Sequence, residues 1–152
     1  MAIFDESGME LRLIIGENAF VEFSLKDIII ARQKMLKAGK RIQDLIFTHN
    51  HPSGGPLSAS DLEIAILYDI KEIRAIGKIN GEDVVYSFKR KSENISNKIK
   101  DRGMKSINDQ LDRQFPNLKT EIQKKYSLDY QKKKAELLIE TFKNEMQYIL
   151  FK

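Results

Sequence analysis

The two histidines of this chain stand two residues apart, in the stretch Thr48-His49-Asn50-His51-Pro52-Ser53-Gly54-Gly55-Pro56-Leu57-Ser58-Ala59-Ser60-Asp61. A strand repeats every two residues, so both imidazoles would project from one face, about 6.6 Å apart along the backbone. Asp61 follows after a loop of turn residues, at the start of an amphipathic segment. Two imidazoles and one carboxylate can hold zinc and leave a fourth position for water, which is the ligand count of a catalytic site. Water on such an ion has a pKa near ~7, and a nearby carboxylate can take its proton during attack on a carbonyl and return it to the leaving amine. The Ser58 hydroxyl could hydrogen-bond the oxyanion that forms. The general base has no obvious address in this stretch.

The same residues admit a plainer reading. Ser58-Ala59-Ser60-Asp61 has the capping-box pattern, and Ser60-Asp61-Leu62-Glu63 offers a second. Asn50 to Pro56 could be a turn-rich loop and nothing more. The two readings are compatible, because a capping serine and a first-turn aspartate can also do chemistry.

The surrounding pattern predicts the elements that position these groups. Met1–Phe4 and Glu10–Ile15 read as strands around Asp5-Glu6-Ser7-Gly8, and Ala19–Phe23 as a short third strand. Ser24-Leu25-Lys26-Asp27 predicts a helix start, Ile28, Ile29, Arg32, Met35 and Leu36 continue it, and Gly39 can close it. Leu45–Phe47 is the core of a buried strand that delivers the histidines. A second helix begins near Ser58 or Ser60, with Leu62, Ile66, Ile70 and Ile73 as its inner stripe. Ala75–Ile79 and Val84–Phe88 flank Asn80-Gly81, a strong hairpin signal. Beyond Lys91, Ile95 to Phe115 and Leu118 to Ile149 carry helical spacing on either side of Pro116. The expectation is an α+β fold with two regions, a site-bearing domain over 1–91 and a basic helical hairpin over 92–152.

Composition sets the outer bounds. The chain has 152 residues and no cysteine, so disulfides, thiolate ligands and cysteine nucleophiles are excluded. Residues 1–91 carry 13 basic and 13 acidic side chains, whereas residues 92–152 carry 13 against 9, the whole excess of +4. No apolar run approaches the ~18–20 residues needed to cross a bilayer, and no signal-peptide pattern opens the sequence. A soluble cytoplasmic protein is the expectation. The start inside an apparent first strand suggests a module trimmed from a longer polypeptide.

The residues around the histidines resemble a known signature. His49-x-His51-Pro52, the glycine-rich loop and Ser58-x-x-Asp61 resemble the metal motif of JAMM (MPN+ or JAB1-like) metalloproteases. The His-Asn-His-Pro-Ser-Gly context is most like RadC-type bacterial domains and the JAB-like domains of phage- and toxin-associated proteins. The resemblance covers residues 1–90. It implies an MPN/JAB-like curved mixed sheet flanked by helices, Zn2+ held by His49, His51 and Asp61, and Ser58 supporting the oxyanion. It also implies a catalytic glutamate upstream, for which Glu6, Glu10, Glu17 and Glu22 are available. Glu10 opens a strand leading into Gly16 and is the first choice; Glu22 is the second.

The expected activity is zinc-dependent hydrolysis of a peptide or isopeptide bond in a protein or peptide substrate. The alternatives are a phage-derived interaction or assembly module that keeps the fold without the chemistry, and a RadC- or toxin-type domain acting on nucleic acid. Lys124, Lys125 and Lys132–Lys134 with Tyr126 and Tyr130 invite the last reading. The tyrosines fall on the apolar stripe, however, which favours helices that form a homo-oligomer or pack on a larger protein partner.

Overall fold

The computed structural model describes residues 1–14, 25–51, 54–91 and 94–151. The strand expected at Ala19–Phe23 and the cap expected at Ser24 lie outside the described residues. In chain order come β1 (Ala2–Phe4), β2 (Glu10–Leu13), α1 (Leu25–Lys37), a 3₁₀ turn (Ile42–Asp44), β3 (Ile46–His51), α2 (Ala59–Leu67), β4 (Glu72–Ile79) and β5 (Glu82–Arg90). Then follow α3 (Asn97–Gln114), α4 (Glu121–Tyr126), α5 (Leu128–Thr141) and β6 (Met146–Phe151).

The six strands form one mixed sheet in the order β2-β1-β3-β4-β5-β6. Only β3 and β4 run parallel, because α2 carries the chain back between them; the remaining neighbours are antiparallel. Asn80 and Gly81 both take positive φ, the two left-handed residues that a tight hairpin between β4 and β5 requires. Gly39, at φ +67°, closes α1 as its sequence suggested.

Residues opposed across neighbouring strands share a face. Ile3, Phe47, Ile73 and Phe88 lie in one such row, all buried, and join Met35 of α1, Leu62 and Ile66 of α2, Ile107 of α3 and Leu138 of α5 in one core. By the same alternation His49 and His51 project from this helix-covered face, at the carboxyl end of β3.

Several expectations need correction. Residues beyond Lys91 do not form a bare helical hairpin. Met146 and Ile149, read as a helical stripe, belong to a strand that pairs with β5 from Arg90↔Met146 to Val85↔Phe151. The core also continues across Lys91, since Ile107, Leu111, Leu138 and Phe142 pack with residues of the first region. Nor do the tyrosines share one environment: Tyr130 is buried against Phe115, whereas Tyr126 is exposed. Lys134, one of the lysines that invite the nucleic-acid reading, pairs with Glu63 of α2 at 2.8 Å. No helix among the described residues is long and apolar enough to span a membrane.

Candidate metal centre

Backbone packing explains the loop after His51. The Gly54 N–H donates to the His51 carbonyl at 2.8 Å, and Gly54 has φ +67°. A Cβ on Gly54 would lie 2.3 Å from the carbonyl oxygen of Lys78, and one on Gly77 would lie 2.6 Å from that of His51. The two glycines therefore let the returning loop lie directly on β4. This close passage places the Gly55 carbonyl 2.9 Å from His51 Nδ1. A carbonyl only accepts, so Nδ1 carries the proton, and Nε2 of the neutral ring keeps its lone pair.

Ser58 then starts α2. Its hydroxyl accepts the Asp61 backbone N–H at 3.2 Å, while its own N–H and Oγ–H both donate to Asp61 Oδ2, at 2.8 and 2.7 Å. The capping box read from the sequence is present at Ser58. It also aims the carboxylate: with Oδ2 occupied by Ser58, Oδ1 turns to His49 Nε2 at 3.3 Å.

His49 Nε2 and His51 Nε2 are 2.9 Å apart, and His51 Nε2 is 3.8 Å from Asp61 Oδ2. A tetrahedral zinc ion with bonds of roughly 2.0–2.1 Å needs its ligand atoms about 3.3 Å from one another. The observed separations bracket that edge, so a small relaxation admits an ion. The chemistry of the donors fits as well. His51 presents a lone pair held by a carbonyl on its far nitrogen, the usual support for a ligating imidazole. Burial acts to raise the Asp61 pKa but is outweighed by His49 and the Ser58 bonds, so the carboxyl stays ionised below its ordinary range. His49 Nδ1 is buried without a hydrogen-bond partner among the described residues, so the ring is oriented by its contacts at Nε2. The cluster opens to solvent on the His51 side, where that side chain is 21% exposed against 9% for His49.

The structure brings together His49, His51, Asp61 and Ser58 and leaves Glu10 elsewhere. Glu10 opposes Phe4, which opposes Ile46 three residues before His49. That places Glu10 roughly 10 Å back along the strand and roughly 10 Å across the sheet from the histidine. Glu6 pairs with Lys71 at 2.8 Å. Glu17 and Glu22 lie outside the described residues. The Ile14 N–H donates to the Met1 carbonyl, one residue beyond the Ala2–Thr48 pair. The described chain thus leaves β2 at the end of the sheet that bears the histidines.

One neighbour escaped the sequence reading. Tyr148 of β6 lies on the histidine-bearing face, opposite Phe88 in the β5–β6 register. Only the alternation of Met146, Tyr148 and Leu150 could have signalled it.

No family model, curated protein or solved structure matches the chain.

Proposed function

We propose that the chain is a zinc-dependent hydrolase of JAMM type, cleaving a peptide or isopeptide bond. The observation that carries this reading is the convergence of His49 Nε2, His51 Nε2 and an Asp61 oxygen, all within 4.8 Å of one another and open to solvent on one side. These three residues would hold the ion, which when bound supplies a Lewis acid and lowers the pKa of water towards ~7.

The remaining roles belong to the chain. His51 is held by Gly55, and Asp61 by Ser58, so two of the three ligands are oriented before any ion arrives. Ser58 supports an oxyanion only by exchanging its bond to Asp61, since its one hydroxyl proton is already donated there. For the base, the register disfavours Glu10, which stands three residues back along the strands and two strands across from His49, and leaves Glu22, outside the described residues, as the next choice.

The test is hydrolysis of a library of quenched peptides and isopeptides by zinc-loaded protein. Cleavage that stops on chelation, returns with zinc and is absent in Asp61→Asn supports the enzyme. Stoichiometric zinc without cleavage of any member supports a metal-binding interaction module instead. One observation favours that second reading: among the described residues no carboxylate besides Asp61 joins the cluster.

A further inference from the structure

We infer that the sheet face turned away from the histidines is the interface of a homodimer, in which two copies of this chain stack sheet on sheet and leave both candidate metal centres pointing outward. The inference does not depend on the metal.

Alternation along the strands assigns the two faces. The core draws on Ile3, Phe47, Ile73, Ala75 and Phe88, all on the face that bears His49 and His51. Phe4, Ile46, Ile76, Val85, Ile149 and Phe151 point the other way, and among the described residues none of them joins the core or packs against it. Val85 is the direct cross-strand partner of both Ile76 and Phe151, and Ile149 lies two residues back along β6. These four form one contiguous apolar surface, with Ile76 38% and Phe151 52% exposed. A largely antiparallel sheet with one face in water reads apolar inward and polar outward. The outward side chains of Ile76, Val85, Ile149 and Phe151 break that pattern on three adjacent strands, as a docking surface does.

Two features commit this face to a second copy. The first is area. Six strands at ~4.8 Å spacing span about 24 Å, and the paired stretches run about 20 Å along the strands. Two such faces stacked at about 10 Å remove roughly 1,000 Å2 from water, the lower bound for a specific interface. The second is charge. Arg74 pairs with Glu72 at 2.7 Å on one flank of the apolar surface, and Lys78 pairs with Asp83 at 2.9 Å on the other. With both flanks closed into ion pairs, a second copy meets no excess of one sign, whereas a strongly acidic or basic partner would find no opposing field.

Light scattering over a wide range of protein concentration reads the mass of the full chain, once with zinc and once with a chelator. Twice the chain mass is expected at the upper end in both, falling to the monomer on dilution. Val85→Lys sets like charges against each other within the stack and should raise the dissociation constant about 100-fold or more; Ile76→Lys, one strand over, should do the same. Leu128→Lys, at an 85% exposed apolar side chain of α5, should leave dissociation within about twofold of wild type. Melting checks that each variant is folded. Ile76→Cys needs no added charge: the chain has no cysteine of its own, so a maleimide should label this single thiol more slowly in the concentrated protein than after dilution. A wild-type chain that is monomeric at every concentration would overturn the inference. So would a dimer that survives both lysine variants, one that Leu128→Lys dissolves, or a thiol labelled equally fast throughout. None of these outcomes bears on the zinc test of the candidate metal centre.

Discussion

Gly54 and Gly77 pass within contact distance, so that a Cβ on Gly77 would lie 2.7 Å from Gly54 Cα. The glycines after the histidines are therefore the condition for laying the loop on β4. Gly54→Ala would place a methyl group 2.3 Å from the Lys78 carbonyl oxygen while keeping a left-handed φ. A left-handed non-glycine residue alone costs of order 1–3 kcal/mol. Urea unfolding should show a loss of at least about 2 kcal/mol, together with weaker metal binding because Gly55 no longer meets His51.

Zinc should stabilise the fold. A ligand that binds only the native state at about 100 times its Kd adds about 2.7 kcal/mol. Calorimetry should record that rise for wild type and none for His51→Ala or Asp61→Asn. An equal zinc effect on His51→Ala would place the ion elsewhere.

The two glutamates separate cleanly. With a cleaved substrate in hand, Glu10→Gln should retain kcat within about twofold, because Glu10 sits roughly 14 Å from His49. Glu22→Gln should lower kcat by about 10²-fold or more, in the range of general acid–base catalysis, with zinc content unchanged. The reverse pattern would reinstate Glu10.

Acid should unfold the protein through Glu72. Burial acts to raise its pKa, but bonds from Arg74 at 2.7 Å and Ser87 at 2.7 Å outweigh it and hold the pKa below the ordinary value of 4.5. Because the folded pKa is the lower one, the stabilisation is complete above about pH 4.5 and is lost as pH falls through the folded value. Asp5, held by Lys40 and Ser7, is depressed in the same direction. Chemical denaturation from pH 6 to 3 should show falling stability, with a shallower slope in Glu72→Gln. Stability that rises towards pH 3 would contradict these pairings.

The features legible in the sequence were those that a few adjacent residues decide. His-x-His at a strand end, the Ser58 cap with Asp61, the Gly39 helix end and the Asn80-Gly81 hairpin each depend on local geometry, and each is present. The features missed depend on which strands become neighbours. Met146 and Ile149 fit a helical period by chance spacing, and only pairing with β5 makes them a strand. Tyr148 joins the histidine-bearing face through that same pairing. Glu10 opened a strand as expected, yet its distance from the histidines follows from the register of β2 on β1 and of β1 on β3, which local sequence does not encode.

Pairing Lys134 of α5 with Glu63 of α2 sets a schedule for biosynthesis. Ribosomes deliver roughly 5–20 residues per second, so α2 waits several seconds for α5 to leave the exit tunnel. The nascent chain has both imidazoles and the aspartate early, but lacks this grip on the helix that carries Asp61 until α5 has emerged. Ion capture should accordingly be weak at first and tighten as α5 docks.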